Sequence, residues 1–327
     1  MRKSDRSLLT LALCATWLLS FNVTAADDAQ RAAATATAEG AACRDARPFY
    51  WEIGNASGAL ASGRVGLGAP DASTVMPIAS ASKWLYGAYV VERRGGRPTA
   101  TDVQALTMRS GYVSLRYESC VRLLSSRRRT QTIAECLNTG NNGQFDPAEM
   151  GRFHYNGGHF QHHAVEALEL GDLNNATLHD ELARVLGSDV APNYQSPQLA
   201  GGAETNAATY AQFLRKLLRG ELALGALLGA DAVCTNPATC PNASYTPIPS
   251  NESWHYSLGH WVEDDPVVGD GAYSSAGAFG FYPWIDARKT TYGIVARHRI
   301  GSKAYTTSVL CGREIRKAWQ QGVASSP

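Results

Sequence analysis

Ser80 and Lys83 lie three residues apart in Ile78-Ala79-Ser80-Ala81-Ser82-Lys83, and their types and spacing suit nucleophilic chemistry. A serine hydroxyl is a weak nucleophile until a base takes its proton. At a helix start, positions i and i+3 share a face, so Lys83 can sit beside Ser80. The lysine becomes a base only where burial or neighbouring positive charge lowers its pKa. The helix amino terminus adds backbone N–H groups that favour a developing oxyanion. The spacing alone is a weak signal, because a serine N-cap followed by a solvated lysine in the first turn has the same pattern.

A second group of polar residues surrounds Tyr155: His154, Asn156, His159, His162 and His163. His159 and His163 stand at i and i+4, so on a helix they could share a metal. No His-Glu-x-x-His pattern and no third carboxylate ligand accompanies them, so we read a polar helix without metal. Within it, His159 is placed to reach a substrate. Asn138 to Glu149 loosely matches a calcium loop, but position three is Gly140, and an ordinary loop is the expectation. Arg127-Arg128-Arg129 reads as a solvated loop. Trp254, Tyr256, Trp261, Phe281, Tyr282 and Trp284 form a dense aromatic set near the end of the chain. Most belong to a core, with one or two available to wall an acyl pocket.

The elements that must position these residues follow from pattern. Phe49 to Ile53 and Gly63 to Gly68 flank a Gly- and Ser-rich turn, which predicts a hairpin. Trp84, Leu85, Ala88 and Tyr89 recur at helical spacing, which predicts a helix over Ser82 to Arg93. From roughly 101 to 228 the chain reads as a helical insert, clearest at Ala164 to Leu168, Leu178 to Leu186 and Ala207 to Leu218. Strands are expected at Tyr256 to Val262, Tyr273 to Phe279, Phe281 to Ile285 and Thr291 to Arg297, and an amphipathic helix at Thr306 to Gln321. The fold class is α+β, an antiparallel sheet flanked by terminal helices with a helical subdomain inserted.

The start of the chain carries an address. A basic segment, Met1 to Arg6, precedes an apolar run from Leu8 to Val23 and small residues at Thr24-Ala25-Ala26. This is the anatomy of a signal peptide over residues 1–26, too short for a membrane span, and it predicts a secreted or periplasmic protein without stable membrane insertion after cleavage. Residues 27–42, rich in Ala and Thr, read as a flexible leader before a single domain over 43–327. Outside Cys14, six cysteines remain, which in an oxidising compartment implies three disulfides among ~15 possible pairings. Local spacing favours Cys120–Cys136 and Cys234–Cys240 and leaves Cys43–Cys311. The zinc alternative lacks C-x-x-C spacing. With a formal net charge of +1 and no charged tail, nothing points to nucleic acid.

Ile78 to Leu85 resembles the nucleophile motif of the serine β-lactamase and penicillin-binding-protein superfamily, closest to its class C-like and esterase branch. Four further segments resemble that branch in order: Leu106 to Gly111; Phe145-Asp146-Pro147 with Phe153-His154-Tyr155; Leu199-Ala200-Gly201-Gly202 with Tyr210 to Leu214; and Ser275-Ala276-Gly277-Ala278-Phe279-Gly280. The resemblance implies Ser80 as nucleophile, Lys83 as its partner and Tyr155 sharing their protons, its phenol depressed in pKa by the nearby ammonium. It also implies an oxyanion hole from the backbone N–H groups of Ser80 and Ala278. Ser275, Gly277, Asn156 and His159 are then expected at the substrate, and no cofactor is implied. Two positions depart from the family: Gly157 replaces the asparagine after the tyrosine, and Ser275 replaces a lysine or histidine that holds a substrate carboxylate. The expected substrate is therefore a small or oligomeric ester, then an amide, with β-lactamase or DD-peptidase activity third. A catalytically silent binding protein on the same fold is the alternative of another class.

Overall fold

The computed structural model describes residues 27–116, 120 and 131–325. The expected signal peptide and the Arg127 to Arg129 run lie outside the described residues.

Eight strands form one antiparallel sheet: β1 (Phe49–Asn55), β2 (Ala59–Val65), β3 (Val233–Cys234), β4 (His255–Tyr256), β5 (Trp261–Glu263), β6 (Ala272–Ser274), β7 (Tyr282–Ile285) and β8 (Thr291–Ala296). Their spatial order is β2-β1-β8-β7-β6-β5-β4-β3, so the first hairpin pairs with the last strand. The hairpin turn is held by the Asn55 side chain, whose Oδ1 accepts from the Ser57 and Gly58 amides at 2.8 and 3.2 Å. Glycine is required where β8 crosses β7: a Cβ at Gly293 would lie 2.0 Å from the Trp284 ring.

Helices cover both faces. The helix α2 (Ser82–Arg93) is buried from Ser82 to Val91 and runs through the centre of the molecule. Around it lie α3 (Ala100–Leu106), α4 (Ile133–Leu137), α5 (Gly158–Glu166), α6 (Asn175–Leu186) and α7 (Ala207–Leu218). Several of these start where the sequence supplies a cap. Thr99 and Thr132 form capping boxes with Asp102 and Glu135, while Asn174 and Asn206 cap α6 and α7. On one side of the sheet, Arg215 of α7 donates to the Tyr292 hydroxyl of β8 at 2.8 Å. On the other side, α8 (Ala304–Gln321) lays Gly312 against Tyr282 and Trp284, where a Cβ would come within 2.5 Å. Arg313 and Arg316 of α8 reach buried Glu263 at 3.0 and 3.1 Å, and Arg316 also holds Asp270 at 2.6 Å. That charge cluster is paired on every side, the condition for burying it.

Three expectations are corrected. Residues 27–39 form a helix, α1, rather than a flexible leader. Ala33, Ala34, Thr37 and Ala38 make its buried stripe, and the Ser325 amide donates to Thr37 at 3.0 Å. Small residues let the helix approach closely but give almost no apolar contrast in the sequence. The strand expected over Tyr256 to Val262 is two strands, because Gly259 at φ +81° turns the chain over α2. A Cβ at Gly87 of α2 would lie 2.3 Å from the Leu258 carbonyl, so the turn is packed directly on the helix backbone. The strand expected over Tyr273 to Phe279 ends at Ser274, and a tight turn follows. All three disulfides, Cys43–Cys311, Cys120–Cys136 and Cys234–Cys240, are formed as the cysteine spacing led us to expect.

Candidate active site

The segment leading to Ser80 is clamped before it turns. Met76 and Pro77 pair with Thr205 and Glu204, and the Ile78 amide donates to the Ala203 carbonyl at 3.0 Å. Ala79 then adopts φ +45°, a conformation that costs a non-glycine residue about 1 kcal/mol or more and persists only when its surroundings impose it. Here they do. Ser82 is fully buried; its hydroxyl donates to the Ala79 carbonyl at 2.6 Å and accepts from the Ala203 amide at 3.2 Å. Tyr210 of α7 donates to the Ala81 carbonyl at 2.9 Å. Ser80 is left half-buried at the mouth of α2.

Lys83, in the first turn of α2, is only 4% exposed. Its Nζ lies 2.9 Å from Ser80 Oγ and 2.7 Å from the Ala200 carbonyl. Burial pulls the ammonium down to about 7 from its ordinary 10.5. Near neutral pH a large fraction of Lys83 is therefore a free amine with its lone pair in hydrogen-bond range of the Ser80 hydroxyl.

Tyr155 completes the cluster. Its amide donates to the Tyr245 carbonyl at 3.0 Å, which fixes the backbone, and its ring stacks on Trp261 of β5 at 5.2 Å. Lys83 Nζ lies 4.8 Å from the ring centroid. The expected depression of the phenol is corrected: burial pushes Tyr155 well above its ordinary value, although hydrogen bonds with Ser80 and Trp261 oppose the rise. The physical reason is that a buried Lys83 is itself mostly uncharged at the pH where it would be needed to stabilise a phenolate. Tyr155 is thus a neutral hydroxyl, able to donate and accept, beside an amine that is able to take a proton.

The turn after β6 lies alongside Ser80. Ser275 is buried, and its hydroxyl donates to the Ser80 carbonyl at 3.0 Å. Its expected place at the substrate is corrected accordingly: the hydroxyl ties the third segment to the turn that carries Ser80. Gly277 passes so close that a Cβ there would lie 2.2 Å from the Ile78 carbonyl, and its amide is taken by Phe281 at 2.8 Å. It serves close approach rather than contact with a ligand. Ala278 is exposed on the following turn, closed by the Gly280 amide on the Gly277 carbonyl at 2.8 Å.

Asn156 Oδ1 accepts from the Leu115 amide at 3.2 Å and the Gly158 amide at 2.8 Å, so it braces the start of α5. It also lines a cavity of about 310 Å³ with Val113, Leu115, Arg116 and Asn141. A Cβ at Gly157 would meet the tip of the Leu115 side chain at 2.8 Å and the Ala200 methyl at 3.0 Å, so a side chain there would require Leu115 to shift. His159 is not a substrate contact. It is fully buried and held neutral near 3 by burial; Nδ1 accepts from the Ser110 amide at 3.2 Å, and Nε2 faces the His154 carbonyl at 2.9 Å. His163 instead joins Tyr86 at 2.7 Å and buried Asp102 at 2.8 Å, so the two histidines serve different partners. Among the described residues, no cluster of three His, Cys, Asp or Glu side chains is placed to hold a metal. Sequence reasoning missed the Ala200 carbonyl and the Trp261 ring as parts of the site. The first had a signal, the Ala-Gly-Gly segment, and the second was not singled out among the aromatics, most expected to be core and one or two to wall an acyl pocket.

Neither a family model nor a curated protein matches the chain. Solved structures do. A β-lactamase from Mycobacterium bovis is 16% identical, with 85% of this chain and 96% of that one covered and a TM-score of 0.54. EstCE1, a hydrolase with promiscuous acyltransferase activity, is 13% identical over 89% and 99%, with a TM-score of 0.58. A D-stereospecific amidohydrolase from Streptomyces is 14% identical over 88% and 98%, with a TM-score of 0.57. At these identities the likeness is one of fold, and the chain has the β-lactamase/transpeptidase-like fold.

Proposed function

We propose that the protein is an exported serine hydrolase that cleaves an ester, or less readily an amide, through an acyl-enzyme on Ser80. One observation carries this reading: Lys83 is buried, shifted down to about 7, and 2.9 Å from Ser80 Oγ. A lysine serving only the fold would keep its charge in water. In the proposed reaction the Lys83 amine takes the Ser80 proton as Oγ attacks the acyl carbonyl. The backbone N–H groups of Ser80 and Ala278 receive the developing oxyanion. The neutral Tyr155 hydroxyl passes a proton from Lys83 to the departing oxygen or nitrogen. Water then attacks the acyl-enzyme with Lys83 again as base. Three disulfides suit an oxidising compartment, which supports export.

β-Lactamase or DD-peptidase chemistry ranks third. The position that offers a cation in those enzymes carries Ser275, and its hydroxyl is spent on the Ser80 carbonyl. A fluorophosphonate probe tests the acyl-enzyme: it should label the mature chain at Ser80 and fail on Ser80→Ala. A folded wild-type protein that resists the probe would make this a silent binding protein. Rates on p-nitrophenyl esters, a chromogenic cephalosporin and D-Ala-D-Ala peptides then rank the substrates. Fastest turnover of the cephalosporin would place β-lactams ahead of esters and amides.

A further inference from the structure

A cavity of about 540 Å³ opens where β8 ends and α8 begins. Arg44 and Arg47 line it from the N-terminal side, Arg297 and Arg299 from the end of β8, and Lys303 from the start of α8; Asp45 is the one acidic residue in the lining. None of these five cations makes an ion pair among the described residues.

Arg297 makes this more than a charged surface, since it is 3% exposed. Nη1 donates to the Asp45 and Ala46 carbonyls, and Nη2 to the Ala304 carbonyl at 3.2 Å and the Thr307 hydroxyl at 2.8 Å. Its Nε is buried with no partner. Every hydrogen bond of Arg297 therefore goes to a neutral group, an arrangement that is costly for a buried charge until an anion joins it. Burial and the adjacent Arg299 charge pull this guanidinium below its ordinary pKa. The first turn of α8 lines the same cavity through Ala304 and Thr307, and no side chain caps that helix. Its dipole adds to the same field, while the Ala304 and Thr307 amides are taken by the Gly301 and Lys303 carbonyls at 3.1 Å each.

We propose that this cavity is an oxyanion site that takes a phosphate or sulfate group. A doubly charged tetrahedral anion presents oxygens in several directions, which matches a cavity lined by guanidinium groups from two segments and an ammonium from a third. A single carboxylate would leave most of the charge unanswered. The volume exceeds what a free ion fills, so the group can be carried on a larger body such as a sugar. The site is separate from Ser80 but touches its surroundings: the Arg299 amide donates to the Phe279 carbonyl at 2.9 Å, in the turn that follows Gly277.

The test is calorimetric titration and thermal unfolding of the mature chain in sodium sulfate and sodium phosphate, against sodium chloride at matched ionic strength. Glucose 6-phosphate forms a further arm. Sulfate and phosphate should stabilise saturably where chloride does not. The exposed double variant Arg299→Gln/Lys303→Gln should unfold at the wild-type temperature without anion and bind sulfate at least tenfold more weakly. Tighter binding of glucose 6-phosphate than of inorganic phosphate assigns the site to a carried group, and the reverse order assigns it to the free ion. Equal shifts in chloride, or undiminished sulfate binding by the double variant, would overturn the proposal.

Discussion

Lys83 shows how the site and the stability of the fold oppose each other. Its pKa is about 7 folded and near 10.5 unfolded, so between those values the unfolded chain holds a proton that the folded chain has released. Stability therefore rises with pH across that window, and below pH 7 the full cost of the buried charge applies. The difference, 10.5 less 7, corresponds to about 4–5 kcal/mol. Lys83→Met removes that cost and two hydrogen bonds worth about 1 kcal/mol each, so we expect a gain of about 2–3 kcal/mol at pH 6. Urea denaturation of both proteins at pH 6 and pH 10 measures it. The gain should shrink toward pH 10, and a variant less stable at pH 6 would refute the account. The same titration governs chemistry. The burst of acyl-enzyme from a p-nitrophenyl ester should quicken as pH rises through about 7 and then level off, because in the proposed reaction only the amine accepts the Ser80 proton. A burst rate that is flat from pH 5.5 to 8.5 would exclude Lys83 as the base. At this scale Ser80 and Lys83 were legible, because three residues along a helix start settle their neighbourhood. Tyr155 reached them only through family resemblance, since no local rule brings together residues 72 positions apart. The fate of His159 was hidden for a related reason: burial decides whether a histidine meets substrate, and burial is a property of the packed chain.

At the scale of elements, the site is a junction of two turns, one at Ala79 and one after β6. The turn that carries Ser80 is held by Ser82, Tyr210 and the Met76-Pro77 pairing. The second turn is held against it by the Ser275 hydroxyl and by the absence of a side chain at Gly277. Gly277→Ala would drive a Cβ into the Ile78 carbonyl and push the turn carrying Ala278 away from Ser80. A displacement of about 1 Å is enough to cost roughly 100-fold in rate, so fluorophosphonate labelling should slow by about that factor. Near-ultraviolet circular dichroism would show whether the aromatic core stays intact, and unchanged labelling would dismiss the turn as an oxyanion donor. Periodicity located α2, α7 and α8 well, because each carries a broad apolar stripe. It failed on the strand over Tyr256 to Val262, where alternation continues through a glycine that the backbone of α2 forces into a turn. It failed again on α1, whose buried face is alanine and threonine.

At the scale of the molecule, the first strand must reach the last one. β1 pairs with β8, α1 packs near the end of α8, and Cys43–Cys311 joins segments 268 residues apart. A cross-link spanning so long a loop limits the unfolded chain strongly, by about 5 kcal/mol in the chain-entropy view. Both sulfurs are buried under the terminal helices, on the face of the sheet opposite α2 and Ser80. The disulfide should therefore govern how long the fold survives and have little influence on the chemistry. Cys43→Ala/Cys311→Ala should lose about 3–5 kcal/mol in urea denaturation under oxidising conditions. Its fluorophosphonate labelling rate, measured where it remains folded, should stay within about twofold of wild type, because additivity holds for distant sites without shared partners. Equal stability of the two proteins would mean that the terminal helices dock without the cross-link. A large loss of labelling in the folded variant would mean instead that the clamp on the sheet extends through β7 to the turn beside Ser80, and that the two faces of the sheet do not act independently.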